Sequence, residues 1–188
     1  NGSCAGFAIP VAQTFGAKNF SKMRAYVANS LRIGAVMAVV ITVLTSIFCA
    51  RILRVVNTPA DIFDDAYVFL LLTFLTIPFT IAYNLLSGFI RALGNSRQPF
   101  YFLIASSMLN IVLDVVLILW MGMGVEGAGI ATMLSQAFSA TLCWLYIRRR
   151  LQILIPTGAE WEYHDNMTGH LLNSGVPMGL QFSITGIG

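Results

Sequence analysis

The sequence predicts an all-α fold, a polytopic bundle of helices that cross a lipid bilayer. Three observations predict it. Hydrophobic residues make up 57% of the 188 residues and charged residues only 10%, whereas a domain that must solvate its own surface carries about 25% charged residues. The mean hydropathy is +0.77. The few charges are also clustered, and between clusters lie apolar runs of the ~20 residues that a helix needs to traverse a ~30 Å hydrocarbon core.

The charge map predicts the elements in order. Residues 1–17 carry no charge and predict the tail of one spanning helix at about 1–15. Lys18, Lys22, Arg24 and Arg32 follow, and the clean run 33–50 predicts a complete span near 27–50. After Arg51, Arg54, Asp61, Asp64 and Asp65, the run 66–90 predicts the next span. Pro78 lies inside it and predicts a kink, because its ring removes a backbone N–H and clashes with the preceding turn. Arg91 and Arg97 introduce a span near 99–120 whose single charge is Asp114. Asn95-Ser96-Arg97-Gln98-Pro99 reads as a break with proline at a helix start, where its missing N–H costs nothing. Gly122, Gly124, Gly127 and Gly129 predict a short flexible connection before the span 127–147, which ends at Arg148, Arg149 and Arg150. The polar stretch from Ile155 to Asn166 is the one long loop, and a last helix is expected to start near 171. The expected domains are 1–150 for one set of membrane helices, 151–170 for an inter-lobe loop and 171–188 for the start of a second set. The chain opens at Asn1 inside an apolar stretch, without the basic region of a signal peptide, and closes at Gly188 in another. It is expected to be an internal fragment.

Orientation follows from Lys and Arg, which concentrate in cytoplasmic loops. Lys18, Lys22, Arg24, Arg91, Arg97, Arg148, Arg149 and Arg150 fall on one side, against Arg51 and Arg54 on the other. The basic side is therefore expected to be cytoplasmic, in a multi-pass protein of the plasma (inner) membrane.

Several function classes lose support at this level. No G-x-S-x-G, H-E-x-x-H, P-loop or G-x-G-x-x-G motif occurs, so an enzyme is not expected. Cys4, Cys49 and Cys143 are far apart and lack C-x-x-C spacing, and His164 and His170 have no partner at metal-ligand spacing; no metal or cofactor is expected. The net charge of +3 is accounted for by the loops, and no nucleic-acid partner is expected.

Asp114 is the informative residue. A carboxylate inside a span costs about 2.5–3.5 kcal/mol on insertion scales, so such groups face a cavity or a partner and mark function by default. Ser107, Asn110 and Asp114 stand at i, i+3 and i+7, one stripe of a helix. Thr132 and Gln136 form a second stripe on the following span. Counting at 1.5 Å per residue from the glycine turn puts Asp114 about 10 Å and Thr132 about 8 Å deep. Asn84 and Ser87 on the proline-kinked span reach similar depth from the other side. These residues predict a polar pocket between three helices. Its oxygen ligands suit Na⁺, and buried carboxyl groups also carry protons. The chemistry leaves the two open. Ser106 and Ser135 read as hydrogen-bond glue between helices.

Four stretches then resemble a known family. They are Ile9-Pro10-Val11-Ala12-Gln13-Thr14-Phe15-Gly16-Ala17-Lys18-Asn19, Tyr83 to Ser96 with Pro99 after it, Asn110-Ile111-Val112-Leu113-Asp114, and Gly124-Val125-Glu126-Gly127-Ala128-Gly129-Ile130-Ala131-Thr132. In order and spacing they resemble multidrug and toxic compound extrusion (MATE) transporters. The resemblance implies a MATE-like N-lobe fragment, helices two to six and the start of helix seven of a twelve-helix antiporter. It implies a cation-coupling site (Na⁺ or H⁺) at Asp114, Asn110 and Thr132, and a substrate cavity lined by Asn84, Ser87, Ser107 and Gln136. The expected partners are membrane lipid, small organic substrates and the remainder of the same polypeptide, whose helix one would add an Asp to the site. A lipid-linked oligosaccharide flippase of the same superfamily would require cationic residues deep in the cavity, and these spans hold none. A non-transporting membrane scaffold would leave Asp114 unexplained.

Overall fold

In a computed structural model the described residues are 2–56, 59, 62–158 and 165–187. They form seven α-helices: α1 (Gly2–Gly16), α2 (Phe20–Val55), α3 (Phe63–Leu75), α4 (Ile77–Ala92), α5 (Arg97–Asp114), α6 (Gly124–Arg150) and α7 (Asp165–Ile187). No strand occurs among the described residues. Four stretches are long and apolar enough to cross a membrane: 20–55, 63–92, 97–120 and 124–150. Most helices begin or end in a polar turn beyond the predicted apolar run. Charges mark where the hydrocarbon stops, but a helix continues as long as its backbone stays hydrogen-bonded. α2, with 36 residues, is about 54 Å long and exceeds the ~30 Å core. α7 likewise starts at Asp165 rather than near 171.

The turns on the basic side share one construction. α4 ends at Ala92, and Gly94, whose φ is +88°, turns the chain away from it. The Asn95 N–H donates to the Ile90 carbonyl (3.2 Å) and the Gly94 N–H to the Arg91 carbonyl (2.9 Å). This is the Schellman pattern, which satisfies carbonyls the helix end leaves open. Asn95 also ties the turn to its surroundings, as its Oδ1 accepts from the Gln98 N–H (3.3 Å) and its Nδ2 donates to the Tyr146 hydroxyl (2.9 Å). α1 closes in the same way, but with Lys18 at φ +55° in the glycine position. There the Asn19 N–H donates to the Thr14 carbonyl (3.0 Å) and the Lys18 N–H to that of Phe15 (2.9 Å). Asn19 then caps α2 by accepting from the Lys22 N–H (3.2 Å).

The Pro78 kink takes the form of a break. α3 and α4 meet at Thr76, two residues before the proline. The Thr76 N–H is shared between the Leu72 and Thr73 carbonyls, both at 3.1 Å, and its hydroxyl donates to the Leu72 carbonyl at 3.0 Å. The span near 99–120 also differs from a uniform α-helix. α5 stops at Asp114 and Val115–Trp120 continue as a wider π turn, in which the Met121 N–H reaches back to the Val116 carbonyl (3.0 Å).

The core lies toward the basic end. Phe7 and Val11 of α1, Met23 and Val27 of α2, Leu85, Phe89 and Ile90 of α4, and Cys143 and Ile147 of α6 are buried together. Leu154, from a short 3₁₀ turn (Gln152–Leu154), and Leu171 of α7 close this cluster from below. By contrast α3 buries no residue. Glycines set the closest approaches, as expected where packing rather than water drives association. A Cβ on Gly6 of α1 would lie 2.6 Å from both the Gly175 Cα and the Ser174 carbonyl of α7, and one on Gly129 of α6 would lie 2.9 Å from Leu72 of α3.

Candidate functional site

A cavity of about 600 Å³ opens where α1, α2, α3, α4 and α6 diverge above the core. Its polar wall is the stripe Thr73, Thr76, Thr80 and Asn84, which winds across the α3–α4 break, and it is faced by Thr132 and Gln136 of α6. Cys4, Met37 and Ile41 are among its apolar lining, and no charged side chain lines it among the described residues. Such a mixture, mostly apolar with a few convergent polar groups, is what ligand pockets present.

Of the residues singled out from the sequence, Asn84, Thr132 and Gln136 come together in this cavity. The Asn84 amide donates to the Thr80 carbonyl (2.7 Å) and the Thr132 hydroxyl to the Ala128 carbonyl (2.9 Å). Ser87 sits one turn below Asn84, buried in the core; its hydroxyl donates to the Asn84 carbonyl (3.2 Å) and accepts from the Arg91 guanidinium (3.1 Å). Ser107 is on the exposed side of α5, bonded to its own Leu103 carbonyl at 2.9 Å.

Asn110 and Asp114 stand one turn apart on α5, half-buried, and neither lines the cavity. α5 packs chiefly on α6 and barely touches α4, because the buried Ser106 hydroxyl donates to the Ser135 carbonyl (2.6 Å) and joins the two helices. The expected three-helix pocket is therefore arranged differently: α6 stands between α5 and α4, showing Ser135 to one and Thr132 and Gln136 to the cavity. The Asn110 Nδ2 and the Asp114 Oδ1 are both enclosed and have no hydrogen-bond partner. The hydroxyls of Ser30, Thr42 and Ser46 on α2 are enclosed and unpartnered too, but Asp114 is the one ionisable group among these, where an unpaired enclosed oxygen costs most. Asp114 is also the last α-helical residue before the π turn, and such widenings recur at functional sites.

Sequence reasoning passed over Thr73, Thr76 and Thr80. Their spacing from Asn84, at intervals of 3 or 4, is a polar stripe within an apolar span, which is the signal that could have found them. Cys4, Cys49 and Cys143 are buried and free. His170 is exposed on α7, while His164 lies outside the described residues.

A bundle of membrane-length helices, with a polar cavity between them, defines a multi-pass membrane protein. Comparison with known proteins names its family. The MatE family model matches residues 1–116, and the chain belongs to the MatE family. It is 34% identical over 149 residues to the probable multidrug resistance protein YoeA of Bacillus subtilis (strain 168), covering 77% of this chain and 32% of that protein. It is 24% identical over 180 residues to the multidrug export protein MepA of Staphylococcus aureus (strain NCTC 8325 / PS 47), covering 94% of this chain and 40% of that protein. The fold matches an inward-facing multidrug resistance MATE family transporter of the MOP superfamily with a TM-score of 0.87 at 23% identity, over 95% of this chain and 41% of that one. It matches a MATE crystal structure in the bent conformation with a TM-score of 0.89 at 23% identity, over 98% and 42%. The chain thus spans between 32% and 40% of the length of these two curated relatives.

Proposed function

We propose that the chain is part of a cation-coupled antiporter that exports amphipathic organic compounds by alternating access, with its basic loops in the cytoplasm. Membership of the MatE family and relatives named for multidrug resistance and export support the reading. The observation that carries it is the pair of enclosed, unpartnered atoms on Asn110 and Asp114. A carboxylate oxygen kept from both water and a protein donor is costly, and a bound Na⁺ or a proton would remove that cost. Rotating the Asn110 amide exchanges nitrogen for oxygen at the same point, so the two residues can offer a pair of hard oxygen ligands, whereas Thr132 faces the cavity on the other side of α6. Occupation changes the local charge by one unit, which is how a ligand biases two helix arrangements.

The flippase alternative calls for cationic groups holding a pyrophosphate, and the described cavity lining has none. The test is drug efflux by the full-length protein in vesicles, with sodium and proton gradients imposed separately. Asp114→Asn is expected to lower gradient-driven efflux at least tenfold while the protein stays folded. Unchanged efflux in that variant would remove Asp114 from the coupling site, and unchanged efflux without either gradient would end the antiporter reading.

A further inference from the structure

The threonines of the cavity share a feature that bears on what the cavity binds. Thr73 donates its hydroxyl proton to the Phe69 carbonyl (2.9 Å), Thr76 to Leu72 (3.0 Å), Thr80 to Thr76 (3.2 Å) and Thr132 to Ala128 (2.9 Å). A carbonyl can only accept, so each hydroxyl must supply the proton. A hydroxyl has one proton and two acceptor lone pairs. Once the proton is committed to the carbonyl four residues back, as threonine in a helix readily does, the oxygen keeps only acceptor capacity. Four such oxygens from three helices line one cavity, which the amides of Asn84, one of whose two N–H groups donates to the Thr80 carbonyl, and of Gln136 also line. No charged side chain lines it among the described residues.

We propose that Thr73, Thr76 and Thr80 form an acceptor-only wall that determines specificity, favouring ligands that bring N–H or O–H donors over ligands of equal charge and size that lack them. The inference rests on the export reading above and deepens it by naming the residues and the ligand feature. A charge alone does not distinguish the two ligand kinds, since a quaternary ammonium carries the same charge as a protonated amine and no N–H. A donor that reaches the wall gains a charge-assisted hydrogen bond at low dielectric. A quaternary ammonium gains only non-directional attraction.

Binding to the full-length protein in nanodiscs tests this, with an aromatic tertiary amine, protonated at neutral pH, and its N-methylated quaternary analogue as probes. Thr73 and Thr80 are the residues to change, leaving Thr76 to the helix break and Thr132 to the opposite wall on α6. The Thr73→Val/Thr80→Val double variant is expected to weaken binding of the protonated amine about tenfold, the size of one charge-assisted hydrogen bond, and that of the quaternary analogue less than twofold. The Thr73→Ser/Thr80→Ser variant should bind both as the unsubstituted protein does. Equal losses for the two probes, or no loss for either, would overturn the wall, as would failure of the unsubstituted protein to bind both. Binding with the expected selectivity but no gradient-driven efflux would instead sink the export reading and leave the wall standing.

Discussion

Single residues differ sharply in how much of their role the sequence discloses. Asp114 stood out because a carboxylate in an apolar run has a price in lipid that hydropathy makes visible, and Asn110 followed from its spacing. The threonine wall did not stand out, because a hydroxyl that bonds its own helix costs a membrane span almost nothing. Lys18 is a third case. The Gly94-Asn95 turn could be read as a turn from its residues, but Ala17-Lys18-Asn19 hides the same hydrogen-bond pattern behind a residue that rarely takes a positive φ. A side chain in that conformation costs about 1 kcal/mol. Lys18→Gly is therefore expected to stabilise the protein by up to about 1 kcal/mol, seen as a higher Tm in detergent. A lower Tm would mean that the Lys18 side chain makes a contact worth more than the strain.

At the scale of elements, the positions of the spans were legible and their irregularities only partly so. Pro78 announced an interruption, yet the break falls at Thr76, where backbone and side chain both turn to the last carbonyls of α3. Nothing in Val115–Trp120, an ordinary apolar run, announces the π turn. Close helix crossings are equally silent, since a glycine in a membrane helix can serve packing or nothing at all. Gly16 has open space around its missing Cβ, whereas a Cβ on Gly6 would run into the α7 backbone at 2.6 Å. Backbone cannot rotate out of the way as a side chain can. Gly6→Ala is expected to cost roughly 1–3 kcal/mol and to weaken crosslinking between cysteines placed on α1 and α7, while Gly16→Ala changes neither. Equal behaviour of the two variants would mean that α1 and α7 are not held as described.

For the whole molecule, composition sufficed to predict helices in a membrane, but not how they group. Sequence neighbours across the glycine turn, α5 and α6, do pack together, as a short connection dictates. That α6 would also stand against α3 and α4, and so separate Asp114 from the cavity, depends on which residues of α6 are small and where they face: Gly129 meets Leu72 of α3, whereas Gly127 meets Leu117, and small residues bring neighbouring helices close. The distribution of Lys and Arg makes a separate prediction about the whole. Cysteines introduced by Lys22→Cys and Arg150→Cys, in a protein otherwise free of cysteine, should react with an impermeant reagent only from the cytoplasm. Met121→Cys should react only from outside. The reverse pattern would invert the orientation.

The meeting of α1 and α7 has one more consequence. At Gly6 and Gly175 the two helices touch through their backbones, with the flat ring of Phe7 laid against Gly175. Interdigitated side chains work like gear teeth, and moving one helix past the other means lifting each tooth out of its notch. At this one contact only the Phe7 ring stands between the two backbones, so fewer such notches oppose a swivel there than where side chains of both helices interlock.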